Sequence, residues 1–244
     1  MGTPRILTIL TVVLLATPAL AQFASDRDRR DALHHYRAGQ DLMAAEQFEK
    51  AAQEFTRSIR KDRLLTEAHY GLGQANMALR RYTSAIHAFT ACREAFHDLH
   101  ALEEHHRFEV ERQRVDEIRE LRDAVRRIRA GQVKVAPSMA DRLERRIDEL
   151  QRRRTTMNAR FQSPAEVSLA LGSAYFRSGN LERAEQEWKD AAAANSRLGE
   201  AHNNLAALYA MTGRKKDAET AIHAAERAGF RVHPRLKDDV SRMN

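Results

Sequence analysis

This chain has little of what staples or punctuates a fold. A single cysteine, Cys92, rules out an intrachain disulfide and any paired-cysteine metal motif. Ten glycines and five prolines in 244 residues leave long stretches with nothing to interrupt a helix. Aromatics make up only 6%, and together these scarcities suit an all-helical protein. There is no phosphate-cradling glycine loop, no H-E-x-x-H helix and no nucleophile elbow, so three large classes of catalytic site have no anchor here. The one long apolar run, Ile6–Ala16, is short of the roughly 20 residues that a membrane span needs.

Charge, by contrast, is plentiful: 41 Lys and Arg stand against 34 Asp and Glu, for a net of +7. The signs are interspersed rather than blocked, as on solvated helix surfaces. The dominant pattern is a repeat. Ala32–Leu65, Thr66–Leu99, Ala165–Leu198 and Gly199–Val232 share one scheme. A small or apolar pair opens each copy, at Ala38-Gly39, Leu72-Gly73, Leu171-Gly172 and Leu205-Ala206. An alanine follows at Ala51, Ala85, Ala184 and Ala218, spaced by 34, 99 and 34 residues. A large residue comes one helical turn later, at Phe55, Phe89, Trp188 and Ile222, and a small one after it, at Ser58, Cys92, Ala191 and Ala225. Cys92 thus reads as a packing residue. Each copy is expected to be two antiparallel helices, small residues letting backbones approach and large ones filling the space beside them. One such pair cannot bury its own apolar face, so neighbours must stack.

These residues resemble the tetratricopeptide repeat (TPR) family, whose pattern is a bulky residue, Leu-Gly, an aromatic, then Ala-x3-Phe. The third copy, with Leu171-Gly172, Tyr175, Ala184 and Trp188, is the nearest match. The first copy lacks the leucine, the last lacks the glycine, and none has the family's closing proline. The resemblance implies an all-α solenoid of two plus two repeats.

Outside the repeats the sequence divides as follows. Met1–Ala21 carries one arginine, an apolar run and an Ala-Leu-Ala site before Gln22, the pattern of a cleaved secretory signal peptide. The chain is therefore expected in the periplasm or secreted, with an uncleaved inner-membrane anchor as the alternative. Residues 22–31 are expected as a flexible leader, and residues 233–244 as a terminal cap, with Phe230, Val232, Leu236 and Val240 of the tail from Gly229 covering the open end of the stack. Between the two repeat pairs, residues 100–162 lose the frame. No glycine or proline interrupts Tyr82–Ala130, so the second helix of copy two is expected to run on through it. Gly131–Pro137 is the turn, and Met139–Phe161 a returning helix with Ser138 as N-cap. Ile118, Leu121, Val125 and Ile128 face Leu143, Ile147 and Leu150 at coiled-coil spacing, which predicts a long antiparallel helical hairpin. Arg114 would face Arg154, so the dry seam should end there or change register.

Candidate sites are few. His97, His100 and Glu104 share a helix face and could hold zinc, yet a charged helix surface explains them as well; no metal or other cofactor is expected. Arg126, Arg127 and Arg129 with Arg152, Arg153 and Arg154 suit an acidic protein or an anionic envelope surface, or simply a solvated exterior. Export argues against nucleic acid as a partner. TPR proteins hold peptides or partner helices in a concave groove lined by the first helix of each repeat. By repeat position, the resemblance places Tyr36, Arg37, Gln40, Tyr70, Gln74, Arg177, Asn203 and Asn204 there. Asn204 stands where the family often has an asparagine that grips a ligand backbone. Arg37, Gly71 and Ala170 occupy the matching places, a departure from the family's lysine- and asparagine-rich clamp. The expectation is a non-enzymatic exported scaffold that binds a protein or peptide. The alternative is an envelope component that self-associates into a homo-oligomer through its hairpin.

Overall fold

The structure, a computed structural model, describes residues 24–133, 136, 138–152 and 164–243. The expected signal peptide lies outside them. Among the described residues there is no strand, and no helix is long and apolar enough to cross a membrane. The elements are α1 (Asp26–Ala44), α2 (Phe48–Lys61), α3 (Thr66–Ala78), α4 (Tyr82–Arg129), α5 (Ser138–Arg152), α6 (Ala165–Arg177), α7 (Leu181–Ala194), α8 (Gly199–Met211), α9 (Lys215–Arg227) and α10 (Pro234–Ser241). Helices α1/α2, α3/α4, α6/α7 and α8/α9 form four hairpins that stack in chain order. The fold is an α-α solenoid of TPR type interrupted by a long helical hairpin.

The small–large alternation sets the packing. The Phe55 ring of α2 lies so close to Gly39 of α1 and Gly71 of α3 that a Cβ on either glycine would come within 2.6 and 2.7 Å of it. Phe89 sits likewise on Gly73 (2.4 Å) and Trp188 on Gly172 (2.5 Å). In the fourth pair the partners change together: Ala206 replaces the glycine and Ile222 the ring, and both are buried. Volume is conserved across the pair, as a close-packed interior requires.

The turn inside each hairpin is a Schellman cap. Gln47, Arg81, Asn180 and Arg214 donate their N–H to the carbonyls of Leu42, Asn76, Tyr175 and Tyr209 at 2.8, 2.8, 2.9 and 2.9 Å. Each requires a left-handed residue. Gly179 (φ 87°) and Gly213 (φ 76°) supply it in the later repeats, whereas Glu46 and Arg80, both at φ 57°, supply it in the first two.

Helix α1 begins earlier than the sequence suggests. The segment expected as a flexible leader is helical from Asp26, because Ser25 Oγ caps the helix by accepting from the Asp28 N–H at 3.1 Å. Lys61 of α2 reaches Asp28 (3.3 Å) and Asp31 (3.5 Å) across the first hairpin. Asp28's carboxyl is held below its ordinary value, chiefly by the Ser25 hydroxyl and then by Lys61.

Helix α4 is 48 residues long, about 72 Å at 1.5 Å per residue. Its first part completes repeat two. There Phe89 and Cys92 pack on Val167, Leu171 and Ala174 of α6, so repeat three stacks directly on repeat two. Arg93 of α4 holds Glu187 of α7 through both carboxylate oxygens at 3.0 Å. Its far part pairs with α5: Ile118, Val125, Ile147 and Leu150 are buried together, with Leu121 and Leu143 against them. Ion pairs Glu117–Arg146 (3.1 Å) and Arg129–Glu144 (2.7 Å) flank the seam. Arg114 closes it by donating to the Leu150 carbonyl (2.7 Å) while paired to Glu111; Arg154 lies outside the described residues. The returning helix includes Ser138 and is described as far as Arg152, so the expected Met139–Phe161 span is only partly described. Pro164 is the N-cap of α6.

At the far end, α10 starts on Pro234 and packs Val240, with Val232, onto α8 and α9, closing the apolar end of the stack.

Two substitutions test this packing. Gly73→Ala drives a methyl into the Phe89 ring and should cost about 1–3 kcal/mol in urea unfolding. Arg80→Gly removes a left-handed non-glycine residue and should stabilise by about 0.5–1 kcal/mol in the same assay.

Candidate functional site

The first helices α1, α3, α6 and α8 carry every residue that repeat position assigns to a groove. On α1, the Tyr36 ring rests on Phe55 with centroids 6.0 Å apart, and its hydroxyl accepts from Gln40 Nε2 at 2.8 Å. Arg37 and Gln40 are exposed. On α3, Tyr70 rests on Phe89 at 5.4 Å and Gln74 is exposed. Both tyrosines are half-buried, serving the core with the ring while the edge stays on the surface. Asn203 and Asn204 are half-buried on α8. Arg177 is exposed and ends α6, roughly 12 Å farther along the helix than the level of Tyr70 and Asn203. The structure therefore brings Tyr36 and Gln40 into contact and sets Arg177 apart from the central level.

The electrostatics of Tyr70 tie these helices together. Its phenol is raised above its ordinary value first by burial, then by Cys92, Glu166 of α6 and Glu200 of α8. Tyr36 is raised by burial and then by Glu67 of α3. Three glutamates from successive first helices thus border the same face as the tyrosines. Sequence reasoning missed them. Each lies in the first turn of its helix, where a carboxylate is favoured by the helix dipole anyway. The available signal was their spacing, since Glu67, Glu166 and Glu200 repeat at 99 and 34 residues.

The other candidates resolve as follows. His100 Nε2 lies 3.8 Å from Glu104 on the same helix, and among the described residues no three His, Cys, Asp or Glu side chains converge to hold a metal ion. Arg126 pairs with Asp123, and Arg129 with Glu144 of α5, so part of the arginine cluster is committed within the hairpin; Arg153 and Arg154 lie outside the described residues. A separate hollow of about 790 Å³ opens on the opposite side of α3, between α2 and α4.

A sequence profile described as tetratricopeptide repeat matches residues 36–96 and 169–229, half of the chain. The chain belongs to the tetratricopeptide repeat family. The two matched TPR stretches leave out the distal part of α4 and all of α5. Among solved structures, the chain is similar to a crystal structure of MamA, with 13% identity over 84% of this chain and 80% of that one and a TM-score of 0.53. It is also similar to a thermophilic TPR protein of Thermus thermophilus, with 18% identity over 86% and 97% of the two chains and a TM-score of 0.35. At 13% identity the likeness to MamA is one of fold. No curated protein matches the sequence.

Cys92 is buried between repeats two and three, with its thiol donating to the Thr66 carbonyl at 3.3 Å. Burial, and then Glu67, push its pKa up to about 12. The thiol should stay protonated at pH 8, and a disulfide reagent should label it only after unfolding. Rapid native labelling would contradict this packing.

Proposed function

We propose that this TPR protein is a non-enzymatic scaffold that holds a segment of a partner protein on the concave face of α1, α3, α6 and α8. The observation that carries this is the row of half-buried tyrosine edges, Tyr36 and Tyr70, with exposed Gln40 and Gln74 beside them on successive first helices, on which Glu166 and Glu200 of the next two repeats also act by raising the Tyr70 phenol. Such a face has aromatic edges, amide side chains and carboxylates to offer a peptide, and nothing arranged to make or break a bond. The α4/α5 hairpin serves as a second contact surface. The chain works outside the inner membrane after loss of Met1–Ala21.

Gln40, Gln74 and Arg177 are exposed, so their joint replacement by alanine should leave the fold within about 1 kcal/mol of its stability. Crosslinked capture from a periplasmic extract should recover a partner with the native protein and at least tenfold less with the triple variant. Equal capture by both would overturn the concave-face reading. Light scattering distinguishes the rival, in which the protein builds an assembly through its hairpin: an oligomer that disappears when Leu102–Arg160 is deleted would favour it. N-terminal sequencing of the protein from fractionated cells should give Gln22 as the first residue.

A further inference from the structure

The hollow between α2 and α4 has a cause in the repeat itself. Asn76 lies 99 residues before Tyr175, and Tyr175 lies 34 before Tyr209, so all three hold the same place in their copies. In repeat four, Tyr209 fills the space between successive second helices. Its hydroxyl donates to Glu185 at 3.2 Å, and Arg214 lies over its ring at 4.3 Å while pairing with Glu185 at 2.8 Å. In repeat three, Arg183 covers the Tyr175 ring at 5.5 Å and bonds its hydroxyl at 3.1 Å. In repeat two the ring is absent. Arg81, at the place of Arg214, turns instead to Glu49 of α2 at 2.8 Å, and a groove is left open over α3.

The floor of that groove carries two polar side chains, Asn76 and His69. Asn76 is 7% exposed and lines the groove; its Nδ2 donates to the Leu72 carbonyl at 3.0 Å, which leaves the amide oxygen to water or a ligand. His69, 9% exposed, donates from Nε2 to the Arg63 carbonyl at 2.9 Å. An amide oxygen on the floor of a cleft is an acceptor that a backbone N–H can use in place of water. The walls carry Arg57, Arg60 and Arg81 against Glu49. Arg81 is paired with Glu49 and Arg57 with Glu54; among the described residues Arg60 has no carboxylate partner. Ala52, Leu72 and Ala88 add apolar lining, and Gln53, Thr56 and Ser84 polar lining. From Glu49 to Arg60 the groove runs about 16 Å along α2, the length of roughly five residues of extended chain.

We propose that the groove between α2 and α4 binds an extended, carboxylate-bearing polypeptide segment, whose backbone N–H is accepted by Asn76 Oδ1 and whose side-chain carboxylate meets Arg60. The site is on the opposite face of α3 from Tyr70 and Gln74, so it stands independently of the concave-face reading. A guanidinium with no competing anion favours a carboxylate, and a lysine-bearing segment would meet the uncompensated charge of Arg60 instead.

The test uses ¹⁵N-labelled protein and two pools of acetylated pentapeptides, one with glutamate and one with lysine fixed at two positions and the rest randomised. The glutamate pool should shift the Asn76 side-chain amide and the backbone amides of residues 53–60 and 84–91; the lysine pool at equal concentration should not. Asn76→Tyr, which restores the repeat's own ring, should abolish the shifts. Arg60→Glu, on the exposed rim, should weaken binding at least tenfold and decides the matter if the first variant does not fold. No shift with the glutamate pool, equal shifts with both pools, or binding unchanged in Arg60→Glu would overturn the proposal.

Discussion

The seating of a ring on a bare backbone is the contact that the rest of this architecture depends on. Phe55 touches Gly39 in its own hairpin and Gly71 in the next, so one side chain closes a repeat and joins it to its neighbour. Dispersion contacts of this kind are individually weak and numerous, and they need the absence of a Cβ to form at all. Phe89 and Trp188 make the same demand on Gly73 and Gly172. Where the glycine is lost, at Ala206, a smaller Ile222 takes the ring's place and the interhelix spacing survives. A solenoid held in this way is a sum of neighbour contacts, which explains how an insert can be tolerated between repeats two and three: only the interface of α4 with α6 has to be kept.

Helix α4 meets that condition by belonging to two structures at once. Near its start Phe89 and Cys92 are buried in the stack, and Arg93 fastens Glu187 of the following repeat. Some 25 residues on, Ile118 begins a separate dry seam with α5. Arg114 marks the boundary: an arginine at the next seam position would be costly if left dry, and it is instead spent on Glu111 and the Leu150 carbonyl. The seam ends where a charge finds partners.

Much of this was legible because packing constraints leave a period. Ala51, Ala85, Ala184 and Ala218 sit where helices touch, and their spacing gave the repeats; the unbroken run from Tyr82 gave α4; the leucine and isoleucine spacing gave the seam. The start of α1 was not, because a polar segment has no apolar period, although Ser25 followed by Asp28 is a capping signal. Nor were the left-handed turns at Glu46 and Arg80, where stacked helices impose on ordinary residues what glycine does freely elsewhere. On the first-helix face, Glu67, Glu166 and Glu200 looked like ordinary first-turn acids. Asn76 escaped notice because its meaning lies in what it replaces: the spacing of 99 and 34 residues puts a tyrosine at the same place in later copies, but only the packing shows that a groove is left where the ring is missing.

The continuity of α4 has a mechanical consequence. Between Cys92, clamped in the stack, and Arg129 at the distal turn runs a rod of about 55 Å with no proline or glycine to act as a joint. Such a rod is a lever. A tilt of about 5° at its base swings the far end through roughly 5 Å, and a load on the far end is returned as torque on Phe89 and on the glycine beneath it. Whatever touches the tip therefore pulls on the middle of the stack.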